Sequence, residues 1–499
     1  MAGQGTEGQN TSKLAANTIG LVGLATLGAV MMSPALGIYG NWGPMASIVG
    51  RPTPLVFLAA LGISLPTAIS YALINREMPS AGSAFTWVWD AISPGIGTWV
   101  GLMMTVYYTV AVTLQPIFFG LFFNDLLSYF GVDNVSNWTW AVGVAISTLF
   151  VFIMTYRGIT VATRWSLLFM AIEIVVVVGL SVTIIVSKAI HGGLTLQPFN
   201  PGEIHGGVST FWKAIILGIL SYTGYDVIST VAEEAKAPRR LLPKATLLAC
   251  ILVGIFWALG AWVFSFAVPL SEVDKLNAAG LTAATPIADQ YWGWGRIFVI
   301  LTAMSAAAAV YIVTVVGASR VYYAMARERT LPASRPLSQL NSRFRVPWNA
   351  MHLVYVLVLA GIIVTTAILG HALDSFIWWA GVIVFFALIT YISVNLANMV
   401  YFWRFARDRF NWFLNGAVPV GGIAIDAYLI YRSFFKALWN NGWRLGRSIV
   451  VFSLILVAVA ILWAVYLKVK APDRLQKRIL VRGDGEEDVD PSLATGSQA

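Results

Sequence analysis

Met31-Met32-Ser33-Pro34-Ala35-Leu36-Gly37 interrupts one apolar run near the start of the chain, and Ser221-Tyr222-Thr223-Gly224-Tyr225-Asp226 interrupts another five apolar segments later. A helix in lipid must satisfy its backbone polar groups internally, because the bilayer core offers no partner for a stray N–H or C=O. Pro34 has no N–H and Gly224 favours unwinding, so both segments should leave backbone groups unpaired at membrane depth. Irregular backbone is tolerated there only where it is buried in protein or lines a cavity. Paired interruptions in corresponding halves of a chain are the sequence mark of a substrate site between two repeats.

The composition fits a membrane. The 499 residues are 58% hydrophobic and 11% charged, with mean hydropathy +0.75, whereas soluble domains carry about 25% charged residues. Spans of about 20 apolar residues are predicted at 17–40, 54–75, 95–123, 138–156, 164–187, 211–232, 244–268, 296–322, 350–370, 373–401, 413–434 and 448–468. The net charge of +9 does not point to nucleic acid. Most Lys and Arg fall in loops on the side of the N-terminus, the asymmetry expected of a multi-pass protein whose two termini are cytoplasmic. Arg432, Lys436, Arg444 and Arg447 run against it, in the loop before the last span. A multi-pass protein of the cell membrane is therefore expected, with lipid as its surroundings.

No cleavable signal is evident, and 1–16 reads as a cytoplasmic tail. Acidic residues near 484–490 mark a disordered C-terminal tail over 471–499. The breaks in spans 1 and 6 divide the rest into a first five-helix repeat, 17–210, and a second in inverted orientation, 211–410. Spans 11 and 12 occupy 411–470 outside them. Cys250 is the single cysteine and has no disulfide partner. Asn134 and Asn137 head chance-level glycosylation triplets. The four His residues do not cluster, and no phosphate-binding loop or nucleophile elbow occurs. Neither enzymatic activity, a cofactor nor a metal is expected.

The run from Tyr222 to Arg240 with Leu242-Pro243-Lys244-Ala245 resembles the sixth helix and following loop of the amino acid–polyamine–organocation permeases. Pro79-Ser80-Ala81-Gly82-Ser83-Ala84-Phe85-Thr86-Trp87 is similar to that family's motif before helix 3. The resemblance implies an all-α fold of the LeuT type and transport of amino acids or amines. Relatives often carry Gly-Ser-Gly at the first break, whose N–H groups receive a substrate carboxylate. Here Met32-Ser33-Pro34 stands in that place, which weakens the nest or moves it toward Leu36 and Gly37, and favours an amine or polyamine.

Glu173 lies nine residues from Arg164, ~14 Å into the bilayer at 1.5 Å per residue. A charged residue near the centre costs about 2.5–3.5 kcal/mol on insertion scales. Its carboxyl group could carry a coupling proton, pair with a cationic substrate, or be a neutral hydrogen-bonding group between helices. The resemblance places it where proton-coupled relatives hold a Lys. Asp226 follows the second break and matches an acidic gating residue of some relatives; it could attract an amine, sense a proton or cap a half-helix. Carbonyls from Ile219 to Tyr222 suit an ammonium group. The expected substrate-binding set is Met32, Ser33, Pro34, Ala35, Leu36, Gly37, Tyr107, Tyr108, Ile219, Tyr222, Thr223, Gly224, Tyr225 and Trp378. Glu173 and Asp226 form the expected proton-coupling set. The reading is a secondary transporter importing an amino acid or related amine with a proton. A polyamine importer and an exchanger without net proton coupling stand as alternatives.

Overall fold

The computed structural model describes residues 14, 16–132, 138–269, 271–272, 284–439 and 444–475. Asn134, Asn137 and nearly all of the two tails lie outside these residues. Helices make up the architecture: α1 (Leu21–Met32), α2 (Pro34–Val49), α3 (Thr53–Glu77), α4 (Ala84–Ala91), α5 (Pro94–Tyr129), α6 (Thr139–Tyr156), α7 (Ile159–Ile190) and α8 (Gly207–Tyr222) form the first part. The one-turn α9 (Val227–Thr230) is followed by α10 (Pro238–Ala267), α11 (Ala284–Trp292), α12 (Arg296–Arg327), α13 (Trp348–Leu369), α14 (Ala372–Phe405), α15 (Val418–Ile430) and α16 (Arg444–Lys470).

Eleven helical stretches among the described residues are long and apolar enough to cross a membrane. The predicted span 211–232 is not among them, because it is split: α8 has 16 residues, and α9 resumes after Thr223–Asp226. The first span is split as well. Ser33 sits at φ +56° between α1 and α2, and Pro34 takes the first helical position, where its missing N–H costs nothing. At the second break Thr223 is extended and Gly224 has φ +127°, a conformation in which L side chains are strained.

Burial sorts the helices into inner and outer ones. In α12's span 89% of the most apolar window is enclosed by protein, against 22% in α7's, so α12 is central and α7 faces lipid along much of its length. α5 packs on α12 and α14, and α3 packs on α10. A buried polar ladder joins α3, α14 and the start of the α15 segment. Ser70 Oγ donates to Asn395 Oδ1 at 2.7 Å, Asn395 Nδ2 donates to Thr67 Oγ1 at 2.8 Å, and Asn415 Nδ2 donates to Asn398 Oδ1 at 3.0 Å. Thr67 Oγ1 also reaches Asp426 Oδ2 on α15 at 3.4 Å. Such bonds stand in for the hydrophobic drive that lipid does not supply between helices.

One element was not foreseen. In the motif Pro79–Trp87, residues 79–83 stay non-helical and Ala84 opens the short buried helix α4, with Trp87 Nε1 donating to the Met78 carbonyl at 2.7 Å.

Candidate functional site

The two breaks touch. A Cβ added to Gly224 would lie 2.7 Å from Met31 Cγ, and one added to Gly37 would collide with the Trp257 indole. Glycine is required at both positions for the breaks and α10 to approach this closely. Trp257 Nε1 also donates to the Pro34 carbonyl at 3.0 Å, pinning the start of α2 to α10.

A cavity of about 170 Å³ lies beside the breaks, on the side away from the N-terminal segment. Met31, Met32, Ser33, Leu36 and Gly37 wall it from the first break, and Leu220, Ser221 and Thr223 from the second. α5 contributes Gln115 and Phe118, α12 Thr314, and α14 Phe376 and Ile383. Asn41, two turns beyond Ser33 on α2, donates to Ser221 Oγ at 2.6 Å across the cavity wall. None of the described residues lining it is charged.

Below the cavity the N-terminal face is closed. Asp226 is fully buried and accepts three phenolic hydrogen bonds: Tyr107 to Oδ1 at 3.1 Å, Tyr391 to Oδ1 at 3.0 Å, and Tyr108 to Oδ2 at 2.6 Å. Tyr391 Oη in turn accepts from the Gly224 N–H at 3.2 Å. Farther out, Arg320 grips Glu234 through two bonds of 3.0 Å, both side chains 1% exposed. Arg327 pairs with Glu233 at 2.7 Å, and Thr18 and Ile19 bond the Glu234 carbonyl.

Glu173 is fully buried on α7, and its Oε2 accepts from the Ala35 N–H at 3.3 Å, with the Ser33 hydroxyl beside it. The carboxyl thus meets the positive end of α2, where a negative group is favoured.

Of the expected binding residues, Met32, Ser33, Leu36, Gly37 and Thr223 line the cavity. The others are placed elsewhere. Pro34 and Ala35 are turned to Trp257 and Glu173 through their backbone groups. Ile219 is buried one turn short of Thr223 and is not a wall residue, and Gly224 is covered by Met31. Tyr107 and Tyr108 are occupied with Asp226, so Asp226 does not front the cavity. Tyr222 donates to the Phe57 carbonyl at 3.0 Å, and Tyr225 stacks on Tyr391 with ring centroids 5.6 Å apart. Trp378 lies on the far side of α14, where Nε1 donates to Ser448 on α16 at 2.9 Å and the ring packs on Phe452. Sequence reading missed Asn41, Gln115, Thr314 and Tyr391. Asn41 and Gln115 carried a signal: uncharged polar residues in otherwise apolar spans, eight and seven positions from Ser33 and Tyr108 and so on the same helix faces.

A cavity between two broken, mutually packed membrane helices defines a transporter rather than an enzyme. The profile of a family described as "Amino acid permease" matches residues 11–472, and the chain belongs to that family. The low-affinity putrescine importer PlaP of Escherichia coli is 25% identical over 472 residues, covering 91% of this chain and 94% of its own. The branched-chain amino acid permease BcaP of Lactococcus lactis is 26% identical over 359 residues, 69% of this chain and 74% of its own. The aromatic amino acid permease FywP of the same organism is 22% identical, over 65% and 70%.

Proposed function

We propose that this chain is a proton-coupled secondary importer of an amino acid or related amine, working by alternating access. The observation that carries the reading is the cavity at two contacting helix breaks, sealed on one side only by layered polar closures. The substrate binds beside the breaks, with its ammonium toward the carbonyl end of α8, where the last carbonyls have no intrahelical partner. One bundle of helices then rocks against the other, parting Arg320 from Glu234 and the tyrosines from Asp226, so that the N-terminal face opens.

Glu173 supplies the coupling in this reading. Its bond to the Ala35 N–H ties α7 to α2. A proton arriving on the carboxyl makes its oxygen a poorer acceptor for the Ala35 N–H and loosens α2 from α7. Proton occupancy is thereby linked to the position of a broken helix.

The test uses purified protein in proteoliposomes with an imposed pH gradient. Uphill uptake that collapses with a protonophore is expected. Glu173→Gln should lose gradient-driven accumulation while keeping counterflow exchange. Accumulation unchanged in Glu173→Gln would remove Glu173 from the coupling, and counterflow indifferent to the protonophore in the unsubstituted protein would mark an exchanger.

A further inference from the structure

A ligand that carries an anion needs donors, and the cavity has few to give. A helix N-terminus is the usual backbone source of them. At the start of α2, however, each N–H from Ser33 to Gly37 is already spoken for. Ser33 N–H goes to the Ala29 and Val30 carbonyls, Ala35 N–H to Glu173, Leu36 N–H to Ser33 Oγ, and Gly37 N–H to the Ser33 carbonyl. Pro34 has none. The hydroxyls on the wall are spent in the same way. Ser221 donates to the Leu217 carbonyl at 3.1 Å, Thr223 to Leu220 at 2.8 Å and Thr314 to Val310 at 2.8 Å. What these hydroxyls leave to the cavity is their lone pairs. The Met31 and Met32 carbonyls add to these acceptors, since the amides four residues on, Ala35 and Leu36, are bonded to side chains. Among the described residues, the Asn41 and Gln115 amides each spend one N–H, on Ser221 Oγ and the Ala111 carbonyl, and keep the other as a side-chain donor, and no cation lines the wall.

An uncharged, acceptor-rich cavity suits a ligand that only donates, and an ammonium group is three donors with no acceptor. Size points the same way. The volume of about 170 Å³ is close to the ~150 Å³ of an engineered cavity that holds benzene, or roughly six heavy atoms. A short aliphatic amine is of that size.

The geometry points to a substrate that is a small primary amine lacking an α-carboxylate, with Glu173 as the specificity-determining residue: its own carboxyl fills the anion position at the start of α2. This inference rests on the transporter reading above and deepens it by naming the substrate class.

Matched pairs test it: 1,4-diaminobutane against ornithine, and isopentylamine against leucine, by thermal shift on the purified full-length protein. Each amine should stabilise the protein by mass action with at least about tenfold tighter apparent binding than its amino acid. Glu173→Ala and Ser33→Ala release the Ala35 and Leu36 N–H groups respectively, and each should shrink the amine preference about tenfold, the worth of a hydrogen bond to a charged group. The inference is overturned if an amino acid binds as tightly as its amine, if no probe binds, or if both variants keep the full preference. Binding is read without flux, so the two readings separate. Amines that bind but are never taken up into vesicles count against transport alone, and amino acid uptake without amine uptake counts against the substrate class alone.

Discussion

Gly224 carries two demands at once, a backbone angle of +127° and contact with Met31 across the breaks. Gly224→Ala meets neither. It should lower stability by about 1–3 kcal/mol, the usual cost of holding a side chain in such a conformation, and abolish uptake; a melting temperature and uptake rate equal to those of the parent would show that the breaks do not touch. The phenols on Asp226 are separable in the same way. Tyr108→Phe removes the 2.6 Å bond and Tyr107→Phe the 3.1 Å one. Both should destabilise, by about 1–3 kcal/mol each, because a hydrogen bond to a fully buried carboxyl group is lost. Tyr108→Phe should cost more. A reversed order in thermal melts would show that bond length does not rank these contacts.

At the level of elements, both interruptions were legible in the sequence because Pro and Gly act locally. Pro34 must start a helix or break one, and Gly224 alone in its segment reaches a positive φ cheaply. The side of a helix that meets the cavity was much less legible. The stretch of α14 around Phe376 and Trp378 is apolar on every side from Phe376 to Ile389, so it carries no phase, and Trp378 and Phe376 look equivalent until the helix is placed. The structure turns Phe376 to the cavity and Trp378 to α16. Tyr107 and Tyr108 suit a cavity wall by sequence, because an aromatic next to a cation is a common pairing. The acid three helices further along the chain claims their hydroxyls instead, a long-range contact that no local pattern announces. Trp257 gives the element scale its own test. Trp257→Phe keeps a ring against Gly37 but leaves the Pro34 carbonyl without its donor. A loss of about 1–3 kcal/mol is expected, and thermal melts would register it.

Across the molecule, the most deeply enclosed ion pair on the closed face is Arg320 with Glu234. Replacing a single partner leaves a charge buried alone, which costs about 3–5 kcal/mol, so Arg320→Met should favour the arrangement in which that face is open. The chain carries its own reporter. Cys250 is the single cysteine, is buried on α10, and lies close to the Tyr222–Tyr225 break. A membrane-permeant maleimide should label it slowly in the unsubstituted protein and several times faster in Arg320→Met. Equal rates would mean that the ion pair does not hold the face shut.

The Asn and Ser ladder between α3 and α14 has a mechanical corollary. Ser70, Asn395, Asn398 and Asn415 exchange bonds inside the membrane, where water cannot replace them if they part. In the alternating-access cycle proposed above, α3, α14 and the hairpin bearing Asp426 therefore move as one chassis. Whatever pivots must do so around that frame, and a wedge of bulk driven between Ser70 and Asn395 would jam the gearing without touching the cargo.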